Sequence, residues 1–275
     1  MKNPWGALLK IFKLGKEPLV GLALGGGSMR GLANVGVLKT LAKHQVPIHC
    51  IAGTSAGSIA AALWAAGKST AEIEEIALNI DWLKIAQLSF NLRGLLSPAK
   101  LQKYMTAALG IKYFRETKVP LSISASDLLS GREYVFAKPE EEIALAVAAS
   151  CSVPGVFSPI SYRGHYLVDG CLTNNIPFSS LARHKPTLYL GVNVISRAPM
   201  PEPPQNMMQI ISRSYDIYEL TNLERYARYR PLLLDPLKEY ISPAIKPGKD
   251  FYHKLIQAGE IETEKMIARI KSAAG

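Results

Sequence analysis

Short apolar runs alternate with longer segments of helical spacing along most of this chain. The apolar runs predict strands at Leu19–Leu24, Ile48–Ala52, Val119–Ser126, Glu133–Ala137, Tyr166–Val168 and Leu188–Val194. Helical spacing and helix-start residues predict helices up to Gln45, over Ser55–Ala66, from Ser69 or Thr70, from Ser97 to Leu109, and over Glu140–Ser150, Gln205–Tyr229 and Phe251–Ala273. Strands that alternate with helices favour a mostly parallel sheet covered on both faces, so we predict an α/β fold.

The turn after the second predicted strand carries a candidate nucleophile. The sequence Gly53-Thr54-Ser55-Ala56-Gly57 fits the pattern G-x-S-x-G, in which a tight strand-to-helix turn exposes a serine hydroxyl. We therefore predict that Ser55 attacks a carbonyl carbon. The alternative is that Ser55 only caps the following helix while the two glycines allow close packing, and the two roles are compatible.

A glycine cluster follows the first predicted strand and opens a helix. The unshielded backbone N–H groups of Gly25, Gly26 and Gly27, at the positive end of the helix dipole, are suited to stabilise an oxyanion. The cluster fails the dinucleotide pattern G-x-G-x-x-G, since Arg30 takes its last position, and fails the P-loop pattern, since Leu32 stands where a lysine is needed. Arg30 opposes the dipole, so we expect it to meet an anion or to brace backbone carbonyls, the alternative being plain exposure.

A serine nucleophile also needs a base. Of the five histidines, His184 and His253 fit a Ser-Asp-His order, but neither lies in a recognisable catalytic turn. Asp169 ends an apolar strand and precedes Gly170, which makes it the better candidate. The alternative is an ordinary Asp-Gly turn.

Taken together, four motifs resemble the patatin-like phospholipase family over most of the chain, from about Pro18 to Val194. The motifs are the glycine cluster Gly25–Gly31, the turn Gly53–Gly57, the run Ala149–Phe157 and the late pair Asp169-Gly170. Their order and spacing make the resemblance specific. It implies a three-layer α/β/α fold around the mostly parallel sheet.

The resemblance also implies roles for particular residues. Ser55 would be the nucleophile and Asp169 the general base of a Ser–Asp dyad, and the oxyanion loop would consist of Gly25, Gly26, Gly27, Ser28, Met29 and Arg30. Such proteins cleave fatty-acyl esters of phospholipids, lysophospholipids and other lipids, and need no metal or other cofactor. One departure is Cys171, which stands where the family has glycine or alanine and adds bulk beside the base. Without an accompanying histidine, Cys171 is not expected to be a rival nucleophile.

We therefore predict a serine acyl hydrolase whose substrate is a lipid ester and which acts through an acyl-enzyme. Two alternatives stay open. One is an acyltransferase, which uses the same serine chemistry with an alcohol or lysolipid acceptor. The other is a non-catalytic lipid-binding or regulatory protein of the same fold, against which the intact Ser55 and Asp169 argue. The headgroup, the acyl length and the oligomeric state do not follow from the sequence.

The net charge of +10 favours an anionic partner, either lipid headgroups or nucleic acid. Only 8% of the residues are aromatic and no basic run contains interleaved aromatics. We therefore predict that the partner is an anionic membrane surface and not nucleic acid, the alternative being a solvated basic surface.

Residues 1–17 are a basic amphipathic segment, interpreted as a helix on a membrane, a helix packed on the domain or a frayed tail. Residues 18–275 are predicted to form one domain.

Three cysteines, Cys50, Cys151 and Cys171, cannot all pair, which favours a reducing cytoplasm. No secretory signal and no run of about 18 apolar residues is present. We predict a cytoplasmic protein, with a peripheral position at the membrane as an option. The apolar segment 80–97 is interpreted as a lid, an acyl-chain wall or plain core.

Overall fold

The computed structural model describes residues 19–80, 87–88, 96–241 and 248–274. The basic segment 1–17 and most of segment 80–97 lie outside the described residues. Of the latter, Gln87–Leu88 and Leu96–Ser97 pair as a short antiparallel ribbon.

The described elements follow the alternation predicted above. The strands are β1 (Val20–Leu24), β2 (Cys50–Thr54), β3 (Gln87–Leu88), β4 (Leu96–Ser97), β5 (Leu121–Asp127), β6 (Arg132–Phe136), β7 (Ile160–Tyr162), β8 (His165–Asp169), β9 (Leu188–Val192) and β10 (Leu232–Leu234). The α-helices are α1 (Leu32–Lys43), α2 (Ala56–Ala65), α3 (Thr70–Leu78), α4 (Ala99–Leu109), α5 (Ile143–Ser150), α6 (Phe178–Ala182), α7 (Met207–Thr221) and α8 (Lys249–Ala274). Short 3-10 turns occur at Ser28–Gly31, Phe114–Glu116, Gly170–Leu172 and Leu223–Tyr229.

Eight of the strands form one sheet in the order β10-β9-β1-β2-β5-β8-β7, with β6 on the other edge of β5. The five strands from β10 to β5 run parallel, whereas β6, β7 and β8 make antiparallel pairs. The prediction of a mostly parallel sheet is confirmed. Of the antiparallel part, β6 and β8 match the predicted strands Glu133–Ala137 and Tyr166–Val168, whereas β7 was not predicted, because so short a strand carries little periodic signal.

The register of β5 explains how two distant segments meet. Thr54, the last residue of β2, pairs with Ser124, and Asp169, the last residue of β8, pairs with the next residue, Ala125. Since β6 occupies the opposite edge of β5, β2 and β8 lie end to end along the same edge. The residue after Thr54 therefore lies beside Asp169.

Helices cover both faces of the sheet, which gives the three-layer α/β/α arrangement. On one face Leu22, Leu24 and Ile51 belong to a large core formed with helices α1 to α5 and α8. On the other face Ala23 and Ala52 belong to a smaller core with α6 and the turn Leu223–Tyr229. Alternate residues of each strand thus pack into the two cores, as expected of a sheet buried on both sides.

Small residues on the second face allow α6 to pack close to the sheet. A Cβ atom at Gly191 would overlap the ring of Phe178, and one at Gly21 would overlap Pro186 and Leu181. Phe178 is fully buried there. Burial of such a side chain stabilises the fold by about 1.5–3 kcal/mol. Because Phe178 is the first residue of α6, its burial holds the preceding loop in position.

Two predicted helices differ from the structure. The predicted helix Glu140–Ser150 begins only at Ile143, because the side chain of Glu141 accepts hydrogen bonds from the N–H groups of Ala137 and Lys138 and so closes a loop. The single helix predicted over Gln205–Tyr229 is wrong. It is divided into α7 and the 3-10 turn Leu223–Tyr229, with a break at residue 222.

Within the described part of the chain, no helix combines the length and the apolarity needed to cross a bilayer.

Candidate active site

Ser55 lies in the tight turn between β2 and α2. Its backbone has φ 51° and ψ −127°, a conformation that non-glycine residues rarely adopt. The two glycines of the turn make it possible, because a Cβ atom at Gly53 would overlap the backbone of Gly57 and Ser58, and one at Gly57 would overlap the carbonyl of Leu24. The side-chain oxygen of Ser55 makes no capping bond to α2. The interpretation of Ser55 as a mere helix cap is therefore wrong.

The structure brings Ser55 and Asp169 into contact. The Ser55 hydroxyl donates a 2.7 Å hydrogen bond to Asp169 Oδ2, and the Cys171 N–H donates a 3.0 Å bond to Asp169 Oδ1. Ser55 is 8% exposed and Asp169 only 1% exposed. Burial raises the pKa of Asp169 from 3.8 to about 6, although both hydrogen bonds favour the charged form. Asp169 is thus a stronger base than an exposed carboxylate.

Two serines of the run Ala149–Phe157 hold the dyad in place. Ser150 Oγ accepts a 2.8 Å bond from the Ser55 N–H and donates a 2.6 Å bond to the Ser124 carbonyl. The Ser152 carbonyl accepts a 2.9 Å bond from the Asp169 N–H. These contacts were not predicted from the sequence, where the run contributed only to the resemblance. No local pattern reveals them, since the partners are far apart along the chain.

The glycine loop packs directly against the Ser55 turn. A Cβ atom at Gly26 would lie 2.8 Å from Ser55 Cβ, and one at Gly31 would overlap Ala56. The loop is held from the other side by Asn175, whose side chain accepts from the Gly26 N–H at 3.1 Å and donates to the Gly26 carbonyl at 3.2 Å. Asn175 was not singled out from the sequence.

The six backbone N–H groups of the predicted oxyanion loop fall into two sets. Those of Gly25, Gly26 and Arg30 donate to acceptors of the protein, namely the Val192 carbonyl, Asn175 and the Gly27 carbonyl. Those of Gly27, Ser28 and Met29 have no acceptor among the described residues. The second set is free to bind a substrate oxygen.

Arg30 is buried and braces this loop. Its Nε donates to the Gly27 carbonyl at 3.1 Å, and its two terminal nitrogens bind both carboxylate oxygens of Asp216 at 2.8 and 2.7 Å. Asp216 lies on α7 and is also buried. Both sequence hypotheses for Arg30, a neighbouring anion and braced carbonyls, are confirmed, and the interpretation as an exposed arginine is wrong.

A narrow crevice begins next to the dyad. Its lining includes Ser28 and Met29 of the glycine loop and Ala56, which follows Ser55. It continues between α1, α2 and α3, and no charged residue of the described chain lines it. The lining is apolar, but the volume of the crevice is only about 40 Å³, far below the roughly 300 Å³ of an ordinary ligand pocket, so it does not hold a whole acyl chain in this conformation.

The five histidines lie elsewhere. His184 contacts Ser122 at 3.0 Å, and His253 lies 3.9 Å from Glu74. The remaining three, His44, His49 and His165, contact Glu264, the Val20 N–H and Asp127. The structure therefore offers Ser55 a carboxylate and not an imidazole.

The three cysteines are free, two of them buried and Cys171 partly exposed. Burial and the nearby Asp169 raise the pKa of the Cys171 thiol well above its ordinary value, so it stays protonated at neutral pH. In the part of the chain that is described, no three His, Cys, Asp or Glu side chains are grouped to hold a metal ion.

Fold and site together define a three-layer α/β/α protein with a buried Ser–Asp pair at the carboxyl edge of its parallel strands. The family model of patatin-like phospholipases matches residues 22–182. The chain belongs to this family, as the resemblance predicted. An NTE family protein of Mycobacterium bovis is 29% identical over 181 residues, which are 65% of this chain and 49% of the relative.

Other relatives extend this picture. The lysophospholipase NTE1 of Meyerozyma guilliermondii is 27% identical over 210 residues, which are 70% of this chain and 14% of that protein. Among solved structures, VipD from Legionella pneumophila superimposes with a TM-score of 0.64 at 12% identity, over 94% of this chain and 67% of that chain. The type III effector protein ExoU gives a TM-score of 0.56 at 12% identity, over 94% and 54%. The matched part of the chain covers about half of the mycobacterial relative and 14% of the yeast one. The solved structures support the fold alone.

Proposed function

We propose that this chain is a serine acyl hydrolase that cleaves fatty-acyl esters of phospholipids or lysophospholipids with a Ser55–Asp169 dyad. The observation that carries the proposal is the 2.7 Å hydrogen bond from the Ser55 hydroxyl to a buried Asp169 carboxylate. Membership of the patatin-like phospholipase family supports it, and so does the lysophospholipase named among the relatives.

In the first step Asp169 Oδ2 accepts the Ser55 proton while Ser55 Oγ attacks the ester carbonyl carbon. A carboxylate with a pKa of about 6 is mostly ionised at pH 7 and is more basic than an ordinary aspartate. Asp169 then returns the proton to the departing alcohol or lysolipid. In the second step a water molecule gives a proton to Asp169 and its oxygen attacks the carbonyl carbon of acyl-Ser55. The bond from that carbon to Ser55 Oγ then breaks, Asp169 returns the proton to Ser55 Oγ, and the fatty acid is released.

The carbonyl oxygen becomes negatively charged in both steps and needs donors. We assign this role to the free backbone N–H groups of Gly27, Ser28 and Met29. The proposed donors are thus three of the six residues predicted from the sequence, Gly25–Arg30. Each such donor contributes on the order of 3 kcal/mol to the transition state. Arg30 then positions the loop through the Gly27 carbonyl.

We assign the first carbons of the acyl chain to the crevice between α1, α2 and α3, which has to widen from its volume of about 40 Å³ to take the rest. Met29 and Ala56 line its end beside the dyad, and Leu63 and Ile73 lie among its apolar lining. The net charge of +10 suits a membrane with anionic lipids as the source of the substrate.

The test is hydrolysis of a panel of p-nitrophenyl esters, phospholipids and lysophospholipids by the wild type and by Ser55→Ala. We expect the wild type to cleave at least one lipid and to react with a fluorophosphonate probe, and Ser55→Ala to do neither. Ser161→Ala, at an exposed position of β7, is the matched control and should behave as the wild type. Activity that survives in Ser55→Ala would refute the dyad, and products transferred to an added lysolipid would identify an acyltransferase.

A further inference from the structure

The helix α7 exposes an uncharged, largely apolar stripe. Its exposed positions recur every three or four residues and so lie on one face. Four of them are large and apolar, with exposed fractions of 57% for Met207, 52% for Ile210, 50% for Ile217 and 43% for Tyr218. The other two are Ser214 and Thr221. We call these six residues the α7 stripe.

The opposite face of α7 carries the charges. Asp216 binds Arg30, and Glu219 accepts hydrogen bonds from Arg225 and from Tyr226 at 2.8 Å. Both carboxylates are buried. A surface helix ordinarily turns its apolar face inward, so α7 has the reverse arrangement. Because the buried Arg30–Asp216 pair fixes its orientation, the α7 stripe cannot turn away from solvent without leaving buried charges unpaired.

The inner face of α7 lies over the dyad. The helix contacts the turn Gly170–Leu172. Burial, together with the nearby Cys171 and Asp169, raises the pKa of Tyr215. The inner face thus borders the catalytic residues while the α7 stripe faces outward from the same place.

Exposed large apolar side chains concentrate at this edge of the sheet. The described residues include eight of them, and four belong to the α7 stripe. Two more, Leu128 and Leu129, directly follow the carboxyl end of β5, the strand against which the dyad is assembled. Of the other two, Leu19 directly precedes β1 and Ile261 lies in α8. A concentration of exposed apolar side chains on one helix face is typical of an interaction site.

Charge decides which partner fits. A chain of net charge +10 repels a second copy of itself and attracts an anionic bilayer. Arg228 and Arg230 are exposed just beyond the end of α7. Isoleucine and methionine enter the acyl boundary of a bilayer, and tyrosine favours the headgroup level. One helix face is also small compared with the roughly 800 Å² per partner of a stable protein interface.

We propose that the α7 stripe is the membrane-docking surface of this protein and seats on bilayers that contain anionic lipids. This inference rests on the proposed function for its choice of partner. Docking there would hold the dyad edge of the sheet against the bilayer, and the Arg30–Asp216 pair would connect the docked helix to the glycine loop.

The experiment compares vesicle binding by the full chain and by two variants. Ile210→Ser combined with Ile217→Ser removes half of the large apolar side chains of the stripe. Ile261→Ser, on α8 with a similar exposed fraction of 48%, is the matched control. Binding is measured by co-sedimentation with phosphatidylcholine vesicles with and without 30% phosphatidylglycerol. Hydrolysis of soluble p-nitrophenyl butyrate and size-exclusion chromatography are measured alongside.

We expect the double variant to bind anionic vesicles at least tenfold more weakly than the wild type, and Ile261→Ser to bind as the wild type does. Hydrolysis of the soluble ester should stay unchanged in both, because neither touches the dyad. Equal vesicle binding by the double variant, or an equal loss in Ile261→Ser, would overturn the proposal. A wild-type dimer that the double variant dissociates would overturn it too, since the stripe would then bind a second copy. If the wild type fails to hydrolyse any ester, the proposed function fails while the binding comparison still decides this inference.

Discussion

The two halves of the dyad are built by opposite means. Ser55 is held by its backbone, with a φ of 51°, two glycines that permit the tight turn and an N–H bound to Ser150. Asp169 has an ordinary extended backbone, with φ −50° and ψ 133°. What distinguishes Asp169 is its burial, which raises its pKa to about 6.

Each half therefore carries its own kind of cost. The backbone of Ser55 stores strain of about 1–3 kcal/mol, which does not depend on pH. Asp169 stores an electrostatic cost: because its pKa is raised from 3.8 to about 6, its own contribution to the free energy of unfolding is largest below pH 3.8 and falls by on the order of 3 kcal/mol as pH rises through 6. Site residues that weaken the fold in this way point to a functional constraint. The two costs can be relieved separately.

Asp169→Asn should give the largest effect, in two opposite directions. Removal of the base should lower kcat/KM by about a thousandfold or more. The same change should stabilise the fold at pH 8 by up to about 3 kcal/mol, because no charge is buried any longer. Asparagine can keep both contacts, since its oxygen can accept from the Cys171 N–H and its amide can donate to Ser55 Oγ. Ester hydrolysis and urea unfolding at pH 8 measure the two effects.

The pH dependence of this variant is its internal control. At pH 4 Asp169 is protonated in the folded state and close to half protonated in the unfolded state, whose pKa is 3.8, so the stability difference between the two proteins should shrink to about 0.5 kcal/mol. An inactive variant that is less stable than the wild type at pH 8 would contradict the assigned burial cost.

Gly57→Ala tests the backbone half. The added Cβ atom would overlap the carbonyl of Leu24, and backbone atoms cannot move aside as a side chain can. We expect a loss of about 3 kcal/mol in the free energy of unfolding, together with lower activity because the turn shifts. Gly248→Ala is the control, since no described residue lies within 4 Å of the position of its Cβ atom, and it should change stability by less than about 0.5 kcal/mol. Equal stabilities in urea unfolding would mean that the turn is not tightly packed.

The pH profile of the wild type tests the acid half. If Asp169 is the base, as we propose, ester hydrolysis requires it to be ionised, and kcat/KM should fall about tenfold per pH unit below a pKa of about 6. The neighbouring Cys171 and Tyr215 have raised pKa values and remain neutral in this range. The fold is not expected to fail here, since protonation of Asp169 stabilises it. A rate that stays constant from pH 7 to pH 4.5 would exclude Asp169 as the base.

These differences also explain what the sequence could predict. The Ser55 turn is a local pattern, because the glycines that permit it lie within two residues of it, and the alternation of strands and helices is local as well. The Asp169 half depends on distant neighbours: its place at a strand end before Gly170 made it a candidate, but its role as the base of a dyad came from the resemblance to a family. Ser150 and Asn175 stabilise the site from far along the chain, and no spacing in the sequence connects them with it.

The orientation of α7 could not be predicted from the sequence either. A helix with charges and apolar residues on opposite faces looks the same in sequence whichever face points inward. Only the pairing of Asp216 with Arg30, 186 residues apart, decides the orientation. For the same reason one long helix was predicted where a turn brings Arg225 and Tyr226 back onto Glu219.

The smallest predicted effect isolates the backbone strain at position 55. Ser55→Gly and Ser55→Ala both remove the hydroxyl, so both should be inactive and they should differ only in backbone freedom. Glycine adopts a φ of 51° without strain, whereas alanine does not, so Ser55→Gly should be the more stable by about 1 kcal/mol in urea unfolding. At Ser161, in strand β7, the order should reverse, because glycine weakens an ordinary strand. If alanine were the more stable replacement at both positions, the turn at Ser55 would carry no strain, and the contrast between the two halves of the dyad would be lost.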